Sequence, residues 1–203
     1  MKIILLRHGE SVDDILDCYG GAADYPLSDS GKKTAEDVAA ALNSEPVEKI
    51  YSSPLKRAIE TAEAVDAQKG CGITTIDTLR ERNSYGVLSG CNKAESKEIF
   101  GYLLSGLKGK PGDYYSDELV VGAEPKDDFD LRVRDALSRV IQDAQTNNYQ
   151  MVAVVTHGNV TRSIYKNIFG VSAKIDLDLL SKTIVEYESG NYAILSREGV
   201  HEK

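Results

Sequence analysis

Two of the three histidines stand in the same setting. Lys2-Ile3-Ile4-Leu5-Leu6 runs into Arg7-His8-Gly9-Glu10-Ser11, and Met151-Val152-Ala153-Val154-Val155 runs into Thr156-His157-Gly158-Asn159. Each apolar run is short and reads as a buried strand. The glycine after each histidine lets the chain turn sharply where the strand ends. Open α/β sheets hold their ligands at the carboxyl ends of strands. If both strands are central and parallel, the two imidazoles point into one crevice. A third segment feeds the same sheet edge: the short strand Lys49-Ile50-Tyr51, then Ser52-Ser53-Pro54-Leu55-Lys56-Arg57-Ala58-Ile59-Glu60-Thr61-Ala62. Ser53 reads as an N-cap with Pro54 at the first helical position. Arg57 then lies one turn into the helix, near its positive end.

Two imidazoles, two arginines and a carboxylic acid can transfer a phosphoryl group without a metal. A neutral imidazole nitrogen attacks phosphorus and carries the group covalently. The protein mainly has to position the phosphate and place charge on its equatorial oxygens. Arginine does this with paired, charge-assisted hydrogen bonds, which Arg7 and Arg57 can each supply. The departing alkoxide needs a proton from a nearby acid.

The remaining chain supplies the scaffold. Ser28 is a candidate N-cap for a helix to about Leu42, with Ala35, Val38, Ala39 and Leu42 on the inner stripe. The helix after Ser53 runs to about Gln68, followed by a strand at Ile73–Ile76. The pattern weakens between 87 and 125, which reads as a lid insertion with one short helix, Lys93–Leu104, and a loop. Asp127–Asn147 has helical period, and a further helix spans Asn159–Phe169. A short helix near Asp176–Leu180 then leads to a hairpin of Thr183–Tyr187 and Tyr192–Leu195 around Ser189-Gly190-Asn191. His201 falls in a polar tail read as frayed. These elements predict one α/β domain over 1–203, a mostly parallel central sheet flanked by helices.

Composition narrows the partners. A net charge of -8 over 203 residues disfavours nucleic acid or an anionic membrane surface as partner, because both require a basic face. No apolar run approaches the ~20 residues that span a bilayer. Cys18, Cys71 and Cys91 are an odd set without metal-ligand spacing and read as free thiols of a reducing compartment, so the expected location is the cytoplasm. No metal site is expected.

The motifs Arg7-His8-Gly9-Glu10-Ser11, Ser52 to Ala62 and Thr156-His157-Gly158-Asn159, with Gly20-Gly21-x-x-Asp24-x-Pro26-Leu27-Ser28-x-x-Gly31 between the first two, resemble the signatures of the histidine phosphatase superfamily, in order and over nearly the whole chain. The resemblance implies that His8 is the phosphorylated nucleophile and that Arg7, Arg57 and His157 form the phosphate pocket. Glu81, in Leu79-Arg80-Glu81, matches the family's proton donor. A salt bridge to Arg80 or Arg82 is the competing account of Glu81.

Within the superfamily, Glu81-Arg82 and Tyr85-Gly86-Val87-Leu88-Ser89-Gly90-Cys91-Asn92-Lys93-Ala94-Glu95 are similar to the cofactor-dependent phosphoglycerate mutases, where residues matching Tyr85 and Lys93 contact the substrate carboxylate. Lid packing and a solvated lysine are the competing accounts of these two. Gly20 and Gly21 can bring bare N–H groups to an anion. With Ser11, Asp14, Gly158 and Asn159 they complete the candidate binding set. The chain departs from the mutase branch in three respects. One extra residue separates Glu81 from Gly86. The paired arginines of the mutase insertion are absent, and Asp113–Asp117 offers carboxylates and tyrosines instead. Asp14 replaces an asparagine that bonds the phosphate.

The chemistry expected is metal-independent hydrolysis of a phosphomonoester through a phosphohistidine on His8, acting on a small phosphorylated metabolite. Two alternatives remain open: mutase-type phosphoryl transfer between small phosphorylated acids, which alone requires a bisphosphoglycerate primer, and an inactive phosphate-ligand binding module.

Overall fold

In the computed structural model, which describes residues 1–105 and 120–203, six strands form one sheet. They are β1 (Lys2–Arg7), β2 (Lys49–Ser52), β3 (Ile73–Thr75), β4 (Met151–Thr156), β5 (Ile175–Glu188) and β6 (Asn191–Glu202). Their order across the sheet is β3-β2-β4-β1-β5-β6. The first four run parallel, and β5 and β6 add an antiparallel hairpin at one edge.

The apolar runs are central strands because both their faces are covered. Side chains alternate along a strand, so Ile3 and Leu5 enter one core while Ile4 and Leu6 enter the other. On the first face lie helices α5 (Lys126–Thr146) and α6 (Gly158–Asn167), through Phe129, Val133, Leu137, Val160 and Ile164. On the second face lie α2 (Asp29–Ala41) and α3 (Lys56–Lys69), through Ala39, Ala58, Ala62 and Val65. A four-residue turn of helix, α1 (Val12–Ile15), follows the first histidine motif, and α4 (Lys93–Ser105) lies in the stretch read as an insertion. Of that stretch, residues 106–119 lie outside the described residues, and with them Asp113–Asp117.

Ser28 caps α2 as its sequence implies, its Oγ accepting from Gly31 N at 2.8 Å and donating to Glu10 Oε1. Gly31 packs directly on the Glu10 backbone: a Cβ there would lie 2.0 Å from the Glu10 carbonyl oxygen. This close approach fixes α2 against the loop that carries His8.

Three local expectations need correction. The segment Asp176–Leu180 is not a helix but the first part of β5. Ile175 and Leu177 are buried while Asp178 faces out, and Asp176 and Leu177 pair with His201 and Val200 of β6. Leu180, with φ of 57°, then breaks the ladder before it resumes at Lys182. The C-terminal tail is therefore not frayed. His201 sits on β6, with its Nε2 at 3.0 Å from Asp178 Oδ2. Finally, α3 begins at Lys56 with Leu55 as its cap residue, so Ser53 and Pro54 precede the helix rather than start it. The Ser53 hydroxyl is engaged elsewhere. The hairpin turn occurs as expected, with Ser189 and Gly190 both at positive φ (50° and 89°), the geometry of a type I′ turn.

Candidate active site

Register decides the site. In the β1–β4 pair Arg7 lies opposite Thr156, and His8 N donates to the Thr156 carbonyl at 2.9 Å. The residues one step beyond, His8 and His157, therefore emerge side by side, with ring centroids 5.0 Å apart and planes at 59°. Both are buried. Arg57, in the first turn of α3 and only 2% exposed, donates through Nε to His8 Nε2 at 3.3 Å. Its two other nitrogens donate to the Gly21 and Ala23 carbonyls at 3.0 and 2.7 Å. The Gly20-Gly21 turn thus holds Arg57 by its carbonyls. Gly21 sits at φ +52°, and a Cβ there would lie 2.7 Å from Ser89 Oγ, so the turn needs glycine.

The hydrogen bonds assign His8 its tautomer. His8 Nδ1 lies 2.7 Å from the Gly9 carbonyl, which can only accept, so Nδ1 carries the proton and Nε2 offers its lone pair. His157 Nε2 lies 2.6 Å from Ser53 Oγ. Ser53 Oγ also accepts from Leu55 N at 3.3 Å, and with one hydroxyl proton and a further lone pair to offer it meets His157 Nε2 equally well in either tautomer. Burial, and after it the positive charge of Arg57 and Arg7, holds His8 well below the usual histidine range. Burial and then His8, with the arginines behind it, do the same to His157. Both rings are neutral near pH 7. His157 Nδ1 and Arg7 Nε are buried without a hydrogen-bond partner. An unmatched buried polar atom costs about 1–3 kcal/mol, so these two leave the site with hydrogen-bonding capacity that the protein does not itself meet.

Arg7 is anchored by Nη1 donating to the Leu177 carbonyl of β5 at 2.6 Å. Beside it stands Arg162 of α6, whose Nε donates to the Ile175 carbonyl at 2.9 Å. A Cβ on Gly158 would lie 3.1 Å from Arg162 Nη1 and 3.7 Å from Arg7 Nε. Gly158 therefore makes room for two guanidinium groups. Arg162 was not legible as a site residue. Its one signal is a long cation four positions after a glycine, on the same helical face.

Glu81 reaches the same place. Its Oε2 accepts from Asn159 N, at the start of α6, at 3.2 Å, and its Oε1 accepts from Arg82 N at 2.8 Å. It is also a charge partner of Arg7. Arg80 pairs with Asp77 instead. The extra residue before Gly86 is accommodated by a tight turn, Ser84 N donating to the Arg82 carbonyl. Asp14 is occupied locally, its Oδ2 accepting from both Ser11 N and Ser11 Oγ at 2.9 and 3.1 Å. Tyr85 stacks on Tyr19, with centroids 4.8 Å apart, next to Gly21. Lys93 starts α4 with its ammonium 2.6 Å from Asp17. Among the described residues, no group of three His, Cys, Asp or Glu side chains is arranged to hold a metal ion, and no helix is long and apolar enough to cross a membrane.

Comparison with known proteins agrees with this geometry. Residues 3–198 match the family model described as Histidine phosphatase superfamily (branch 1). The chain belongs to the histidine phosphatase superfamily. A relative from Rhodococcus jostii, a 2,3-bisphosphoglycerate-dependent phosphoglycerate mutase, is 31% identical over 84% of this chain and 76% of its own. A metal-independent phosphoserine phosphatase from Arabidopsis thaliana is 31% identical over 95% and 79%. The fold is that of the phosphoglycerate mutase from Bacillus anthracis, with a TM-score of 0.78 over 98% of this chain and 92% of that one at 21% identity. As a member of this superfamily the protein is an enzyme, a histidine phosphatase or a phosphoglycerate mutase-like phosphotransferase.

Proposed function

We propose that the protein hydrolyses phosphomonoesters of small metabolites through a phosphohistidine on His8, without a metal. The observation that carries this reading is the His8 ring itself: Nδ1 tied to the Gly9 carbonyl, Nε2 unprotonated and held against Arg57. His8 Nε2 attacks phosphorus as the ester P–O bond breaks. Arg57, Arg7 and the Nδ1–H of His157 bind the three transferring oxygens, where fixed donors lower the barrier most. The bond electrons leave with the ester oxygen, which takes a proton from the carboxyl of Glu81. Water then attacks phosphorus as the P–N bond breaks and its electrons return to His8 Nε2; the water gives a proton back to Glu81, and phosphate and neutral His8 are released. Ser11, Gly20, Gly21, Gly158 and Asn159 shape the pocket through backbone. Contact of Tyr85 and Lys93 with the outer part of the substrate rests on the family resemblance alone, since Tyr85 packs on Tyr19 and Lys93 pairs with Asp17.

Mutase-type transfer is the second reading, favoured by the 31% identity to a bisphosphoglycerate-dependent mutase. It differs only in what receives the phosphoryl group. The binding-module alternative rests on Asp14 and on the extra residue after Glu81; Asp14 Oδ2 accepts from Ser11 N and Ser11 Oγ, and the assay below decides that reading.

The test is phosphate release from a panel of phosphomonoesters, including 3-phosphoglycerate and phosphoserine, in the presence of a chelator, with His8→Ala alongside. Hydrolysis that survives chelation, disappears in the variant and passes through an acid-labile phosphoenzyme is the expected result. Binding of these compounds with neither hydrolysis nor primed transfer would overturn both catalytic readings.

A further inference from the structure

A single 3-10 turn, Asp77–Leu79, leads into irregular backbone at Arg80 and Glu81, and no strand takes up the carbonyl groups of Thr78 to Glu81. Buried carbonyls must find donors somewhere. Here four consecutive ones are met by side chains. Arg132 of α5 donates through Nη1 to Thr78 O and Arg80 O at 3.0 and 2.8 Å, and through Nη2 to Glu81 O at 3.1 Å. The remaining carbonyl, Leu79 O, accepts from Thr156 Oγ1 at 2.9 Å, on the residue just before His157. Arg132 gives its other two N–H groups to Glu124, Nε to Oε1 at 2.5 Å and Nη2 to Oε2 at 2.7 Å. All five guanidinium donors are thereby used. Glu124 also holds the far side of the strap, its Oε2 accepting from Asn83 N and its carbonyl accepting from Arg82. The guanidinium lies over the Phe129 ring, 4.8 Å from its centroid.

We propose that Arg132, locked by Glu124, is a positioning residue that sets the Glu81 carboxyl at the leaving-group side of the phosphate. The inference rests on Glu81 being the acid, as proposed above. Stability does not account for the arrangement, because a largely buried Arg–Glu pair is at best even with apolar side chains of the same volume. What it supplies is geometry. A single rigid fork grips the acid's own carbonyl and two others within three residues of it, while Thr156 ties the fourth to the strand that bears His157. Proton delivery depends steeply on such placement, with a misplacement of about 1 Å costing roughly 100-fold.

The experiment compares kcat/KM for an alkyl phosphate, whose alkoxide must be protonated, with that for a dinitrophenyl phosphate, whose phenolate leaves without a proton. It is run on the full chain and on Glu81→Gln, Arg132→Met and Arg132→Lys. Arg132→Met is expected to lose about 100-fold on the alkyl ester and only a few-fold on the dinitrophenyl ester, in parallel with Glu81→Gln. Arg132→Lys keeps the charge for Glu124 but lacks the fork, so it should show the same selectivity to a smaller extent. It carries the comparison should Arg132→Met fail to fold. Equal losses on both esters in a folded Arg132 variant, with Glu81→Gln still selective, would overturn the proposal and reduce Arg132 to a structural role. If Glu81→Gln itself fails to discriminate, the acid assignment falls, and the proposal with it.

Discussion

Acidifying the protein through the histidine range should cost it stability in proportion to its two buried imidazoles. His8 and His157 are held well below their ordinary range in the folded state, first by burial and then by the neighbouring positive charge. In the unfolded chain both return to about 6.5. Below that value the unfolded chain binds protons that the native rings refuse, so unfolding becomes easier as the pH falls. Above about pH 7.5 both states are neutral and this contribution is flat. One proton is worth about 1.4 kcal/mol per pH unit. Two rings give a slope of about 1.4 kcal/mol per pH unit at the unfolded value, where each is half protonated, rising toward about 2.7 a unit or more below it, for as long as both stay neutral in the native state. Urea midpoints at pH 7.5, 6.5 and 5.5 measure this slope, in a window where most carboxylates remain ionised. His8→Gln and His157→Gln should each remove one ring and halve the slope, from about 2 to about 1 kcal/mol between pH 6.5 and 5.5. A flat profile between pH 6.5 and 5.5, or a slope that neither substitution changes, would refute the assignment of two neutral buried rings.

Two further substitutions test the framework around those rings. Gly31→Ala drives a methyl to within 2.0 Å of the Glu10 carbonyl oxygen, where only backbone can yield, and should cost about 3 kcal/mol or more, read as a lowered melting temperature. A loss under about 0.5 kcal/mol, the range of an ordinary surface change, would show that α2 does not brace the His8 loop. Ser53→Ala leaves His157 Nε2 and Leu55 N without their shared partner and should cost about 1–3 kcal/mol. It should also lower kcat, because nothing then fixes the orientation of the His157 ring. An unchanged kcat would separate Ser53 from the chemistry.

Much of the site was legible because it is written locally. The apolar runs before His8 and His157 announce strands by their length and β-branched content, and the glycines mark where each must turn. Arg57 could be placed near the start of a helix from the Ser-Ser-Pro sequence, even though the helix begins two residues later than that sequence suggests. Local reading failed at Asp176–Leu180, where two aspartates and a Leu-Leu pair masked a period of two. That period has physical meaning only once β6 pairs alongside and Tyr165 of α6 packs with Ile175 and Leu177.

The sequence by itself determined the kinds of group available and the strands and helices that carry them, since periodicity and turn chemistry act between near neighbours. Tertiary structure decided which of those groups meet. The opposition of Arg7 and Thr156 across β1 and β4 sets the imidazoles 5.0 Å apart. The bond from Ser53 to His157 spans 104 residues, and that from Arg132 to the Glu81 carbonyl spans 51. Nothing in a serine or an arginine indicates such a partner in advance. A buried polar atom takes whichever donor or acceptor the packing of distant elements brings within about 3 Å, and that choice is made only when the sheet and its two helical layers close.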